Sequence, residues 1–281
     1  MHIDTQKNSF LTFSILCHEA TTMLAGTISD LLQHDWIDTI QLVDTSRTGT
    51  CKNLVTSDRQ KKISYIHIPT DTETFDFSKV RNTALQKNTS EWTFFLDSDE
   101  RLDTTAFTSL HRFITTSKTS ASFAGATIQR VDFFHGKKLR FGETGTCRLL
   151  RLVRTRSACF TRQVHEVLLI NDSQVKAKKI YPLAGSIEHY SHKSLAAFIT
   201  SVAWYASLES QKRTWNHWTL LELLVYPPAK FFVNFIVKQG FRDGYAGLCY
   251  AIVMSLHSLL VRVFTYENHS QKNQGNYVAK T

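Results

Sequence analysis

Three carboxylates lie close together in the middle of the sequence. Asp97, Asp99 and Glu100 follow directly after the apolar, aromatic run at 92–96. A short run of this kind predicts a strand that is buried on both faces of a parallel sheet. Like charges raise one another's pKa, so crowding three acids is unfavourable unless they share a cation. The pattern indicates a divalent-cation and phosphate site at the end of a strand; the alternative is an acidic turn that caps the next helix.

Two more acids follow candidate strands nearer the amino terminus. Glu19 comes after the apolar run at 10–17, and Asp44 closes the run at 39–43. The carboxyl ends of parallel strands meet at one edge of a sheet, and open α/β sheets bind ligands in the crevice beyond that edge. We therefore expect Glu19, Asp44 and the acids from Asp97 onward to converge on one ligand.

The segments that would position these acids alternate between two periodicities. Helical spacing follows most of the candidate strands, which predicts βαβ units and a parallel, Rossmann-like sheet. The predicted strands are 10–17, 39–43, 63–68, 92–96, 123–134 and 147–153, and the predicted helices are 21–33, 78–87, 104–114 and 195–208. The sequence contains neither G-x-G-x-x-G nor a P-loop, which excludes a standard dinucleotide site and a Walker ATPase.

Composition narrows the class of partner. The chain has 281 residues and a formal net charge of +9, which favours an anionic partner such as nucleic acid, an acidic membrane surface or a phosphorylated substrate. Its five cysteines are scattered without a C-x-x-C pair, so we expect reduced thiols and a cytosolic setting. The first residues show no signal-peptide pattern. No basic stripe with interleaved aromatics is present, so no nucleic-acid partner is expected.

An ordered series of motifs resembles family 2 glycosyltransferases. Residues 76–82 read DFSKVRN and residues 97–100 read DSDE, and together they resemble the signature of that family. The branch that they resemble most is that of the lipopolysaccharide core β-1,4-glucosyltransferases. The segments CRLLR (147–151), QVHEVL (163–168), IEHYSHKSL (187–195) and 230–248 resemble later family segments, so the resemblance covers most of the chain. Two departures are His18 in place of an asparagine, and a loop after Asp44 that is one residue short and lacks its second acid.

The resemblance implies a GT-A fold: an α/β domain with a Rossmann-like, mostly parallel sheet flanked by helices. It also implies a nucleotide-sugar donor, a UDP-sugar above all, and Mg²⁺ or Mn²⁺ as cofactor. We expect Asp99 to bind the metal, with His189 as a further ligand because neutral imidazole binds Mn²⁺. The expected nucleotide-sugar contacts are Glu19, Asp44, Arg81, Asp97 and Ser98.

The resemblance and the chemistry of the side chains together give individual residues expected roles. Asp97 is expected on the ribose side, with Asp44 and Arg81 against the base and Arg81 also within reach of phosphate. Glu166, next to His165, is the candidate general base for the acceptor hydroxyl. The alternatives are a surface ion pair for Arg81 and an ordinary exposed His165–Glu166 pair. Of the basic residues at 137–162, which include Arg151, we expect most to form a solvated face, and the alternative is that some meet an anionic acceptor.

The composition changes near Tyr190. We expect a GT-A domain at 1–190, a helical and membrane-associated region at 191–266, and a polar tail at 267–281. Lys230, Asn234 and Lys238 share one helical face, with Phe231, Phe232, Phe235 and Ile236 on the remainder. This pattern predicts a basic amphipathic helix that lies in an anionic membrane interface; a plain helical subdomain is the alternative. The uncharged stretch 245–261 favours an interfacial or protein-buried helix over a transmembrane one.

These features predict an inverting, metal-dependent glycosyltransferase. It would move a hexose, with glucose as the candidate, onto a lipid-linked or cell-envelope glycan such as lipopolysaccharide core, at the inner face of the cytoplasmic membrane. Transfer onto a polyprenyl phosphate and a non-catalytic scaffold remain as alternatives, the latter because of His18 and the short Asp44 loop.

Overall fold

A computed structural model describes residues 10–55, 61–70, 76–116, 122–145, 147–162, 166–170, 179–192 and 194–278. His165 lies outside the described residues. The chain forms two compact units, one made of residues 1–130 and 148–189 and the other of residues 131–147 and 190–281. The predicted division at 190 and at 266 stays a prediction.

The first unit is built on four parallel strands. They are β1 (Leu11–Cys17), β2 (Thr39–Asp44), β3 (Ile63–His67) and β4 (Trp92–Asp97), with helices α1 (Thr22–Leu32), α2 (Phe77–Lys87) and α3 (Thr104–Thr115). Trp92, Phe94 and Leu96 on β4 are fully buried, and the rings of Phe13 and Phe94 pack with centroids 5.0 Å apart. Burial on both faces explains the continuous apolar runs. The predicted order of these strands and helices is confirmed.

Antiparallel strands complete the sheet. The remaining strands are β5 (Glu100–Leu102), β6 (Phe123–Phe134), β7 (Lys137–Lys138), β8 (Arg148–Arg154), β9 (Ala158–Thr161), β10 (Val167–Ile170) and β11 (Lys179–His192). The order is β3-β2-β1-β4-β8-β6-β11-β5, with β7 paired to β6 and with β9 and β10 as a separate hairpin. Strands β4 and β8 pair antiparallel, as do β11 and β5. The predicted α/β class is confirmed, and the sheet is mixed, because β1–β4 pair parallel whereas β8 pairs antiparallel with β4 and β6, and β11 with β5.

The strand register brings the predicted acids to one edge. Cys17 pairs with Asp44 across β1 and β2, and Leu16 pairs with Asp97 across β1 and β4. Adjacent strands lie about 4.8 Å apart, so β2 and β4 are separated by about 10 Å at this level. Asp44 and Asp97 thus lie at the same edge of the sheet, and their convergence on one ligand stays a prediction.

The second unit is mostly helical. It contains α4 (Leu195–Ser210), α5 (His217–Phe232), a π turn (Val233–Val237), a 3₁₀ turn (Gly240–Asp243) and α6 (Tyr245–Val278), which continues through most of the polar segment after Glu267. Helices α4 and α5 both pack on α6. An Asn216–Thr219 capping box begins α5, and Ser255 on α6 donates a hydrogen bond to the carbonyl of Pro227 at 2.6 Å. The predicted apolar, helical carboxyl-terminal region is confirmed.

The polar face predicted for residues 230–238 is partly buried. Lys230 Nζ lies 2.5 Å from Glu143 Oε2, and Asn234 Nδ2 donates to the same oxygen at 3.1 Å. Asn234 is 1% exposed, whereas the Lys230 side chain is 38% exposed and Lys238 lies on the surface. Both lysines of the predicted basic face therefore reach the surface, and its contact with an anionic membrane stays a prediction.

Much of the exposed surface of α5 and the π turn is apolar. Large apolar side chains at the surface of α5 and the π turn include Trp218, Leu221, Leu224, Val225, Phe232, Ile236 and Val237. By length and composition alone, His217–Val237 and Tyr245–Gln271 could each cross a membrane, and only 11% of the most apolar part of the first is buried.

Candidate active site

The turn between β4 and β5 is closed by a buried carboxylate. Glu100 is fully buried, and its Oε2 accepts a hydrogen bond from the backbone N–H of Asp97 at 3.0 Å. Ser98 and Asp99 form the turn between them and are partly exposed. The strand on one side and the Glu100 contact on the other fix the backbone from which Asp99 projects.

Arg151 on β8 is the cation at the centre of this site. Its Nη2 donates to Glu100 Oε1 at 2.5 Å and to Asp97 Oδ2 at 3.1 Å. Arg151 is only 8% exposed, so it does not belong to the solvated face expected for most basic residues of this region. The antiparallel pairing of β8 with β4 places Arg151 just beyond the end of their shared register, alongside the acids.

Arg81 on α2 joins Asp97 to the predicted base. Its Nη2 bonds to Asp97 Oδ1, and its Nε donates to Glu166 Oε1 at 3.2 Å. The guanidinium is 5.4 Å from the centre of the Phe160 ring, within cation–π range, and Arg81 is 4% exposed. Arg81 therefore forms a buried ion pair rather than the surface pair considered above.

A second residue of α2 positions the hairpin that carries Glu166. Asn82 Nδ2 donates to the carbonyl of Phe160 at 2.9 Å, and Asn82 Oδ1 accepts from the Phe160 N–H at 2.8 Å. Ser78 Oγ donates to the carbonyl of Arg162. These contacts bind α2 to β9, and Glu166 directly precedes β10 of the same hairpin. Arg81 therefore contacts Glu166 itself, whereas the adjacent Asn82 holds β9, the partner strand of β10 in the same hairpin.

The buried charges shift one another's pKa. Burial acts to raise the pKa of Asp97, but the guanidiniums of Arg81 and Arg151 outweigh it and hold that pKa well below its usual range. Burial raises the pKa of Glu100, and the opposing effect of Arg151 is smaller. For Arg151 itself burial lowers the pKa, but Glu100 and Asp97 outweigh it and the pKa is raised.

Asp99 and His189 lie together and suit a cation. Asp99 Oδ2 is 3.4 Å from His189 Nε2, because β11 pairs with β5 and sets His189 opposite Glu100. The two side chains are 38% and 15% exposed, so the pair is accessible to a ligand. A carboxylate oxygen and an imidazole nitrogen are donors that Mn²⁺ accepts, and Mg²⁺ accepts the carboxylate. The residues present therefore fit the implied metal.

Asp44 is closed inside its own loop. It is fully buried, and Oδ1 accepts from the Ser46 N–H at 2.9 Å while Oδ2 accepts from the Cys51 N–H at 2.8 Å and from Tyr65 Oη at 2.9 Å. Burial acts to raise the pKa of Asp44, but these hydrogen bonds outweigh it and lower the pKa. The structure thus gives Asp44 the role of holding the loop that follows β2.

Glu19 and the unusual His18 lie at the edge of that loop. Glu19 is exposed beyond the end of β1, and His18 Nδ1 is 3.4 Å from Thr45 Oγ1. Thr50 Oγ1 also donates to the His18 carbonyl at 3.4 Å. The two departures from the family pattern therefore contact each other.

Two cysteines lie beside Asp44. The Sγ atoms of Cys17 and Cys51 and a carboxylate oxygen of Asp44 lie within 4.8 Å of one another. Burial raises the pKa of both thiols, so they remain protonated and neutral. We interpret this group as part of the packing beneath the loop.

The buried ion pair of Arg151 and Glu100 was not predicted from the sequence. A usable signal was present in the pattern of β8, where Arg151 is flanked by Leu149, Leu150, Leu152 and Val153. A single arginine inside such an apolar strand requires a buried acid as its partner.

A scan against models of known protein families found no match. Several solved structures are similar in fold. S. aureus TarS residues 1–349 in complex with UDP-GlcNAc matches with a TM-score of 0.46 and 12% identity over 93% of this chain and 92% of that one. The mannosyltransferase PcManGT from Pyrobaculum calidifontis, in complex with GDP-Man and Mn²⁺, matches with a TM-score of 0.46 and 12% identity over 98% and 82%. Against a longer S. aureus TarS chain the TM-score is 0.45 at 12% identity, and this chain spans 46% of that length.

Proposed function

We propose that the protein is an inverting, metal-dependent glycosyltransferase. It transfers a hexose from a nucleotide sugar, with a UDP-sugar as the first candidate, to a lipid-linked or cell-envelope glycan such as lipopolysaccharide core. The observation that carries the proposal is one arrangement at the carboxyl edge of the sheet. There, Asp99 faces His189 at 3.4 Å, and Asp97 is joined through Arg81 to Glu166.

Asp99 and His189 would hold Mg²⁺ or Mn²⁺. When bound, such a cation stabilises the negative charge that develops on the departing diphosphate. Arg151 and Glu100 contribute by fixing the turn, since Glu100 bonds both to the Asp97 N–H and to Arg151. Asp99 is thus presented from a rigid backbone, which lowers the entropic cost of assembling the site.

The remaining donor contacts would come from the same edge. Asp97 would contact the ribose side and Ser98 would contact the nucleotide sugar beside it, and Glu19 is exposed at the end of the neighbouring strand β1. Asp44 would act on the base through the loop that it holds, and Arg81 would act through its pair with Asp97.

Glu166 would serve as the general base. In the reaction the acceptor oxygen forms a bond to the anomeric carbon while the bond from that carbon to the diphosphate breaks. The acceptor proton passes to the Glu166 carboxylate, and the nucleoside diphosphate leaves. Arg81 orients that carboxylate through Oε1, and at 22% exposure the side chain remains accessible to an acceptor.

The apolar surface of the second unit and the positive net charge suggest that the enzyme works at a membrane. The exposed apolar face of α5 and the π turn would rest in the cytoplasmic leaflet, at the inner face of the cytoplasmic membrane. The formal net charge of +9 would add attraction to anionic lipid.

A thermal-shift panel of nucleotide sugars, with and without Mn²⁺, tests the proposal. A ligand that binds only the folded state raises the melting temperature by mass action, so the donor identifies itself. We expect a Mn²⁺-dependent shift that Asp99→Asn abolishes and that Asp35→Asn, at a fully exposed carboxylate, retains. Absence of a shift with every nucleotide sugar, or a shift that ignores metal and Asp99, would remove the proposal. Binding without turnover on any glycan or polyprenyl phosphate would favour a scaffold.

A further inference from the structure

A polar cleft lies within the second unit, between the end of α4 and the carboxyl-terminal half of α6. Its cavity volume is about 690 Å³, which falls within the range of small-molecule sites. The side chains that line it include Arg213, Thr214, Trp215, Asn268, His269 and Gln271. The donor-site residues named above belong to the first unit, so this cleft is a different site.

An oriented aromatic ring forms part of the wall. Trp215 and Tyr266 pack in a T-shaped arrangement with ring centroids 4.8 Å apart and an interplanar angle of 62°. Trp215 is only half-buried, so part of the ring is open to the cleft. The face of an aromatic ring is electron-rich and attracts the C–H groups of a pyranose ring, whose faces are apolar although its rim is polar.

The polar side chains of the cleft suit hydroxyl groups. Asn268 Nδ2 donates to Ser210 Oγ at 3.0 Å, and Ser210 Oγ donates to the Ser207 carbonyl at 2.7 Å. This chain of bonds fixes the amide of Asn268. Amides such as Asn268 and Gln271 offer both a donor and an acceptor, which matches neighbouring sugar hydroxyls that also do both.

The arginine that lines the cleft is paired with carboxylates outside the lining. Arg213 Nη2 lies 3.0 Å from Glu209 Oε1, and its Nη1 lies 3.9 Å from Glu222 Oε2. The charge of Arg213 is therefore partly offset, so a phosphate or carboxylate ligand gains little net attraction from it. The cleft favours a neutral ligand.

We propose that this cleft binds a neutral hexose unit of a saccharide, and that the saccharide is the glycan acceptor. The saccharide site stands on the cleft alone, whereas its assignment to the acceptor rests on the proposed function. Binding a remote sugar unit of the acceptor would add affinity and select among glycans without contact with the reacting atoms.

NMR of the ¹⁵N-labelled full chain tests the proposal through the indole N–H of Trp215, assigned with Trp215→Phe. Cellobiose is the neutral probe and glucose 6-phosphate the anionic one. We expect cellobiose to shift the Trp215 resonance and Trp215→Ala to weaken binding about 10- to 30-fold, as loss of a tryptophan anchor does. Trp204→Ala is the matched control, because Trp204 is exposed and forms a T-shaped pair with a tyrosine without lining the cleft.

The outcomes separate the two proposals. If Trp215→Ala unfolds the chain, Gln271→Ala, at an exposed position, should still weaken cellobiose binding. Asp99→Asn should leave cellobiose binding unchanged. Equal binding by the Trp215 and Trp204 variants, or a preference for glucose 6-phosphate, would overturn the saccharide site. Cellobiose binding with no metal-dependent nucleotide-sugar binding would keep the site and remove the acceptor assignment.

Discussion

Replacing Arg151 with methionine should strongly destabilise the first unit. Arg151→Met keeps a side chain of similar length but removes the positive charge, so Glu100 loses the guanidinium that lies 2.5 Å from its Oε1. The Glu100 side chain is 0% exposed and cannot be rehydrated without local opening. Asp97, which is 32% exposed, retains Arg81. The energetic cost therefore falls mainly on Glu100.

The size of the effect follows from that burial. Removing one partner of a buried ion pair costs about 3–5 kcal/mol, against a total stability of about 5–15 kcal/mol for a typical domain. For a domain of this size we expect a fall in melting temperature of about 6–20 °C. Equilibrium urea unfolding measures the loss, provided that the slope with denaturant is unchanged.

The same strand offers a matched control. Arg154 also lies on β8 and contacts Glu91 Oε1 at 2.5 Å, but the two side chains are 23% and 43% exposed. Its guanidinium stacks on Trp92 at 4.5 Å. Arg154→Met should therefore cost only about 1–2 kcal/mol, as an exposed pair and a cation–π contact together.

The loss should depend on pH with a definite sign. Burial already raises the pKa of Glu100, and removing Arg151 raises it further. A carboxyl whose folded pKa exceeds its unfolded value binds more protons when folded, so stability falls as pH rises between the two values. The Arg151→Met loss should therefore be smaller near pH 4, where unfolded glutamate begins to titrate, than at pH 7.

A second substitution makes the reasoning refutable. Adding Glu100→Gln to Arg151→Met removes the stranded charge, so the double variant should be more stable than the sum of the single losses by about 1–3 kcal/mol. If the losses in free energy of unfolding are additive, or if Arg151→Met costs no more than Arg154→Met, then Glu100 is not left as an unpaired buried charge and the reasoning is refuted.

Four further predictions concern the site and the surface. Asp99→Asn should abolish turnover at ordinary metal concentrations with an unchanged melting temperature; surviving turnover would contradict the metal assignment. Glu166→Gln should lower kcat by about 10²–10⁴-fold at saturating donor while leaving the donor Kd, measured by titration, largely unchanged; a normal kcat would place the base elsewhere. Asp44→Asn should cost about 1–3 kcal/mol in urea unfolding at pH 7, because one amide cannot accept all three bonds; its lowered pKa means that this contribution fades as pH falls through that value. Phe232→Ser with Ile236→Ser should reduce flotation with anionic vesicles, and equal recovery would count against membrane contact.

The strands and the acids after them could be predicted because their signals are local. Burial of β4 on both faces imposes an apolar run, and the run ends where Asp97 begins the site. The pairing of Asp99 with His189 depends on β11 lying beside β5, a contact between residues far apart in sequence. Helical periodicity correctly separated Lys230 and Asn234 from their apolar neighbours. It could not show that Asn234 is buried or that Lys230 is paired, because both depend on Glu143, which is far away in sequence.

The order of the strands gives the Asp97–Glu100 turn a mechanical meaning. β4 and β5 are separated by this turn alone, yet β5 stands at the far end of the sheet, beyond β8, β6 and β11. The sheet must curl back so that its last strand returns beside β4, and the turn is the seam where the curl closes. Asp99 projects from one side of the seam and His189 comes from the strand that completes it. A one-residue shift of register in any of the intervening strands would therefore displace His189 relative to Asp99. The spacing of Asp99 and His189, the two proposed metal ligands, thus depends on the register of half the sheet.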